Sequence, residues 1–145
     1  MKKSFNYIIT GLLIFLFVYA SISKLADINT FKADLYNQPF PAFAKPLLIW
    51  VIPAIELLIS ALLIFDSTRL VGLYASLGLM IAFTFYTAIV LMHFFNYVPC
   101  SCGGIIKALS WPQHLVFNLF FVLIATIGIV KYPLSHKNYD TGPRP

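Results

Sequence analysis

Residues 47–65 read LLIWVIPAIELLISALLIF, an apolar run broken by one proline, Pro53, and by one charge, Glu56, three residues on. A helix needs about 20 residues to cross the hydrocarbon of a bilayer, and this run has that length. In lipid the backbone must satisfy itself, which a helix does within one segment. The run therefore reads as a transmembrane helix. Three similar runs, at about 7–23, 70–95 and 111–132, complete the pattern. The fold class that follows is all-α: a four-transmembrane-helix bundle, with a short periplasmic surface helix between the first and second spans.

The composition points the same way. Of the 145 residues, 60% are hydrophobic and 10% charged, where a soluble domain carries about 25% charged residues. The mean hydropathy is +0.86. One bundle over residues 1–132 is expected rather than separate domains, followed by a flexible cytoplasmic tail over 133–145. The net charge of +5 does not indicate a nucleic-acid partner. The basic residues stand at the ends of apolar runs, where they act as topology signals, and no basic run is interleaved with aromatics. The first partner is the lipid bilayer.

The first span follows Met1-Lys2-Lys3. Val18-Tyr19-Ala20 is a passable cleavage site for a signal peptide, but the apolar run continues past it to Lys24 and Asp27, which look like a helix end. In the segment after it, Asn29-Thr30 can cap a short helix, Phe31 to Tyr36. Phe31 and Leu35 share one face of it, with Lys32 and Asp34 pointing away. Such a helix lies on a membrane surface. Asp66-Ser-Thr-Arg69 is a polar turn between the second and third spans. Pro99 biases Val98 out of helical geometry and ends the third. Ser110 and Gln113 form a capping box, and Pro112 sits in the first turn of the fourth span.

Orientation follows from the lysines and arginines. With both termini cytoplasmic, the inner side carries Lys2, Lys3, Arg69, Lys131, Lys137 and Arg144, and the outer side Lys24, Lys32, Lys45 and Lys107. Lys24 and Lys32 have Asp27 and Asp34 beside them. The bias puts the loop between the third and fourth spans outside. That loop, Pro99-Cys-Ser-Cys-Gly-Gly104, holds both cysteines of the chain, and it faces the compartment in which disulfides persist.

Cys100 and Cys102 are the first candidates for chemistry. A bridge between residues two apart closes a tiny loop and stabilises little. It also sits near the edge of disulfide geometry, where bridges are easily reduced. Gly103 and Gly104 permit the backbone turns of so small a ring. The pair reads as a redox couple, with a passive pair and a soft-metal site as the other readings. Two thiolates with His93, His114 or Met92 nearby can hold Cu(I), whereas no spacing supports zinc.

Glu56 lies at least one helical turn inside the hydrocarbon, where ionisable groups are costly and usually functional. The plainer reading is an acid neutralised or paired within the bundle for packing. Lys24, His93 and His114 are interfacial groups when taken singly. With alternating helix directions, however, all of them fall with the cysteines in the outer half of the bundle. His114 has Trp111 and Asn118 on its helix face. A base near a thiol raises its thiolate fraction.

Several of these elements together resemble the MauE/DoxX family of four-helix bacterial inner-membrane proteins associated with redox chemistry. They are Tyr19-Ala-Ser-Ile-Ser-Lys24-Leu-Ala-Asp27 with Phe31; Pro53-Ala-Ile-Glu56-Leu57; and Cys100-Ser-Cys102-Gly103-Gly104 followed by Ser110-Trp111 and His114. The resemblance covers all but the C-terminal tail and implies a role around periplasmic thiols. MauE is tied to maturation of the disulfide-rich small subunit of methylamine dehydrogenase. DoxX-type members are linked to quinone-coupled sulfur oxidation, and many lack the cysteines. This chain keeps them and so sits nearer MauE. The similarity to the quinone-linked disulfide generators DsbB and vitamin K epoxide reductase is architectural only, since those relay electrons through two cysteine pairs and this chain has one.

The expected function is that of an inner-membrane thiol–disulfide protein. Cys100 and Cys102 exchange electrons with a periplasmic thiol or disulfide protein and support disulfide formation or maturation of exported proteins. Glu56, Lys24, His93 and His114 move protons or tune the thiols. A quinone is the candidate acceptor, with no cofactor called for otherwise. The competing expectations are a non-catalytic assembly or chaperone subunit and a Cu(I)-handling site. The partner and the oligomeric state are not legible in the residues.

Overall fold

The computed structural model describes residues 2–92 and 109–136. Among them the chain forms five helices: α1 (Lys2–Ala26), α2 (Ile28–Tyr36), α3 (Lys45–Ile64), α4 (Arg69–Leu91) and α5 (Trp111–His136). Four carry a stretch long and apolar enough to cross a membrane: Ser4–Ala26, Lys45–Ile64, Arg69–Leu91 and Trp111–Tyr132. The protein is a multi-pass membrane bundle, with α2 as the short helix between the first and second spans.

The spans run up, down, up and down, with α1 packed on α3 and α5, and α4 packed on α3 and α5. The ring closes because the first and last spans touch. Its core is a column of Leu13, Phe17, Leu63, Leu73, Met80 and Ala125, each almost fully buried. The outer surface remains apolar: Phe15, Phe85, Val116 and Leu123 are exposed, as they must be where lipid is the solvent.

The bundle is tight at one end. A Cβ on Gly72 would lie 3.0 Å from the Leu63 backbone nitrogen, and a Cβ on Gly128 would lie 3.0 Å from Ile9 and 3.1 Å from Leu73. Both glycines let helices approach where lipid provides no hydrophobic drive and close packing must hold the bundle. The α3–α4 turn here is secured by its own polar groups. Thr68 Oγ1 donates to Leu62 O at 2.9 Å, Arg69 Nε donates to Leu63 O at 3.2 Å, and Arg69 pairs with Asp66.

The other end is capped by α2. Phe31 and Leu35 are buried together against Ile49 of α3, which is the shared face expected from their spacing. The cap of α2 differs from expectation. It is Asp27, not Asn29 or Thr30, and Asp27 Oδ1 accepts from the Thr30 amide at 3.2 Å. The helix starts earlier than Phe31 because the Asp27 carboxylate reaches the third amide of the first turn. The α5 start matches its capping box: Gln113 Oε1 accepts from the Ser110 amide at 2.9 Å.

The chain leaves α4 through Met92 and enters α5 at Trp111, both at the α2 end of the bundle. Cys100, Cys102 and His93 lie between these points and outside the described residues, as does the Cu(I) expectation that rests on the two cysteines.

Candidate functional site

Lys24 is near the C-terminal end of α1, yet its side chain does not extend to the interface. Helical side chains lean toward the N-terminus of their helix, and here Lys24 Nζ turns back to donate to Ala20 O at 3.3 Å. That brings it inward to Glu56 of α3, with Nζ 2.8 Å from Oε1. Glu56 is eleven residues into α3, so it lies about 16 Å along a helix that crosses a hydrocarbon layer of about 30 Å. The ion pair therefore lies about halfway along α3. Both side chains are buried, at 8% and 2% exposure.

Burial at this depth is tolerable only with a partner of opposite charge. The backbone supplies a second tie one turn away. Pro53, three residues before Glu56, sits inside α3 and is fully buried. Ser21, three residues before Lys24, donates to the Pro53 carbonyl at 3.1 Å. Ser21 and Lys24 thus present one face of α1 to Pro53 and Glu56 on one face of α3. The Glu56 backbone carbonyl also accepts from Ser60 Oγ at 2.9 Å. Glu56 Oε2 has no hydrogen-bond partner among the described residues.

Lys24 forms part of the wall of a cavity of about 390 Å³ that lies beneath α2, between all four spans. Glu56 stands behind Lys24, outside the lining. The opposite wall comes from α4 and α5, where His114, Asn118 and Thr87 are all buried. Asn118 Nδ2 donates to Thr87 Oγ1 at 3.3 Å, and Thr87 donates to Phe83 O at 2.7 Å. The rest of the lining is overwhelmingly apolar and rich in rings. Phe40 stacks on Tyr86 at 5.4 Å between centroids, and Trp111 meets Tyr86 edge-on at 6.5 Å.

Among the expected site residues, the structure joins Lys24 to Glu56 and sets His114 on the same cavity as Lys24. The expected face of Trp111, His114 and Asn118 is the one that lines it. The reading from residues alone missed Gln38 and Tyr86. Tyr86 OH donates to Gln38 Oε1, and Gln38 is 2% exposed. Gln38 stands in the proline-rich polar stretch between α2 and α3. No periodicity there marks a buried residue, and the only available signal was a tyrosine in the last turns of an otherwise apolar span.

Comparison with known proteins gives one match. The family model described as methylamine utilisation protein MauE matches residues 2–131. No curated protein and no solved structure gives a significant match.

Proposed function

The chain belongs to the MauE family, whose name ties it to methylamine utilisation, and from that membership we propose that it is a thiol–disulfide redox protein of the bacterial inner membrane. Cys100 and Cys102 form its working pair. In the oxidised pair, one sulfur is attacked by a thiolate of an exported protein, giving a mixed disulfide. The partner's second thiolate resolves it, leaving the partner oxidised and Cys100 and Cys102 as thiols. The pair is then reoxidised, losing two protons and two electrons to an acceptor of the quinone class. The net result is disulfide formation in, or maturation of, a periplasmic partner.

The observation that carries this reading is topological. The connection that contains the only two cysteines of the chain leaves α4 and enters α5 at the α2 end of the bundle, the end where the cavity lined by Lys24 and His114 lies. A bridge two residues apart stabilises little and reduces readily, so a stabilising staple is a poor account of the pair. Lys24, Glu56 and His114 supply the ionisable groups that thiol oxidation needs for its protons, with His93 as a further base next to the loop. Lys2 and Lys3 keep the N-terminus in the cytoplasm and turn the cysteines to the periplasm.

The test is trapping in native membranes. With one cysteine left, the remaining thiolate attacks a disulfide of the partner and lacks the second thiol that would complete its reduction, so Cys100→Ser or Cys102→Ser captures a periplasmic protein that reductant releases. If neither variant captures a protein and the native pair never changes redox state, the reading is wrong.

A further inference from the structure

The cavity beneath α2 combines three properties that together specify a ligand. The first is access from lipid. Ile55 of α3 and Ala82 of α4 belong to the lining and are themselves exposed. The seam between α3 and α4 is closed at Gly72 against Leu63, and at the level of the cavity it is flanked by these two exposed residues. The second is shape. Phe40, Tyr86, Trp111 and Phe31 offer flat walls, suited to a ring held by stacking. The third is a single strong donor. A lysine ammonium has three N–H groups. Lys24 uses two, on Glu56 Oε1 and Ala20 O; no third acceptor occurs among the described residues, and its side chain lines the cavity beside the Phe31 ring, 6.0 Å from Nζ to the centroid.

An acyl chain would satisfy the first property and leave the other two unused. A lipid-soluble planar ring bearing a carbonyl oxygen uses all three. We propose that this cavity binds the ring of an isoprenoid para-quinone, entering between α3 and α4, with Lys24 donating to one ring oxygen. The proposal rests on the thiol–disulfide reading for its chemistry and names the site of that reading's acceptor. When the two thiols of Cys100 and Cys102 become a disulfide, two S–H bonds break and one S–S bond forms. The two electrons and two protons convert the quinone to the hydroquinone, its two carbonyl oxygens becoming hydroxyls. The Lys24 ammonium stabilises the negative charge that gathers on its ring oxygen as the electrons arrive. Glu56 holds that ammonium in place.

The experiment is a binding titration in lipid nanodiscs on the full chain carrying Cys100→Ser, Cys102→Ser and Trp50→Phe. Removing the thiols prevents their covalent addition to the quinone. Removing Trp50, which is 64% exposed, leaves Trp111 in the cavity wall as the single tryptophan reporter. Short-chain ubiquinone and short-chain menaquinone are titrated separately, and the tighter of the two identifies the source. Saturable quenching of Trp111 is expected. Loss of a charge-assisted hydrogen bond in Lys24→Met with Glu56→Leu, which removes both charges together, should weaken it by at least about tenfold. Ala82→Phe, which retains the ion pair and narrows the entrance, should weaken it as well. Quenching that rises linearly without saturation, or that neither variant alters, overturns the proposal. Because the protein titrated has no cysteines, the two readings fail separately. Saturable binding without partner trapping removes the redox reading and leaves the quinone site. Trapping without binding does the reverse.

Discussion

Lys24 Nζ lies 2.8 Å from Glu56 Oε1 in a buried pair that joins the first span to the second. The lysine comes from the end of α1 and the glutamate from the interior of α3, so the pair forms only because the lysine side chain folds back by a turn. It is the one charged contact among the described residues that is buried at both ends.

Removing one partner leaves the other charge buried. Glu56→Ala should lower stability by about 3–5 kcal/mol, read as a fall in Tm in detergent. Replacing both residues, by Lys24→Met with Glu56→Leu, should recover most of that loss, since a well-packed apolar pair avoids the desolvation cost. A double variant as unstable as Glu56→Ala would show that the pair does more for the fold than satisfy its own charges.

The neighbouring tie should matter far less. Ser21 donates to a carbonyl that already belongs to the α3 ladder, and interhelical hydrogen bonds in membranes contribute about 0.6 kcal/mol on average. Ser21→Ala should therefore shift Tm only slightly. A loss as large as that of Glu56→Ala would contradict this ranking.

Tyr86→Phe removes the donor to a buried Gln38. Loss of one such hydrogen bond costs about 0.5–1.5 kcal/mol. Because Gln38 follows α2 directly, the effect should appear locally as faster amide exchange in residues 28–40, with the spans unchanged. Uniform loss of protection across all helices would be inconsistent with a local latch.

Gly72→Ala would place a Cβ 3.0 Å from a backbone nitrogen of α3, which cannot rotate away. Overpacking of this kind costs about 1–3 kcal/mol. Gly11→Ala meets nothing within 4 Å and should be neutral or slightly stabilising, as alanine is the better helix former. Thermal unfolding of the two variants side by side checks the contrast.

In intact cells, a membrane-impermeant maleimide should label Cys100 and Cys102, and only after mild reduction. Labelling that needs permeabilised cells would reverse the orientation, and labelling without reductant would mean that the pair rests as thiols.

The four spans, their order, the short helix and the capping box at Ser110 were legible in the residues, because apolar length and local capping chemistry are properties of contiguous sequence. The same holds for the shared face of Phe31 and Leu35, which follows from helical spacing alone. Glu56 was recognisable as a buried acid for the same reason: a charge within an apolar run has nowhere else to be. Its partner was not determined by the sequence alone. Whether Lys24 reaches the interface or turns back depends on which face of α1 meets α3, and the packing of two whole helices decides that. The cavity, the exposed Ile55 and Ala82 at its entrance, and the burial of Gln38 under Tyr86 are likewise products of tertiary structure, because each is made by residues from different helices. The sequence determined that this chain is a membrane bundle with a lone cysteine pair in one loop. Only the packing of the helices brought Lys24 and Glu56 together and set His114 on the cavity beside that ion pair.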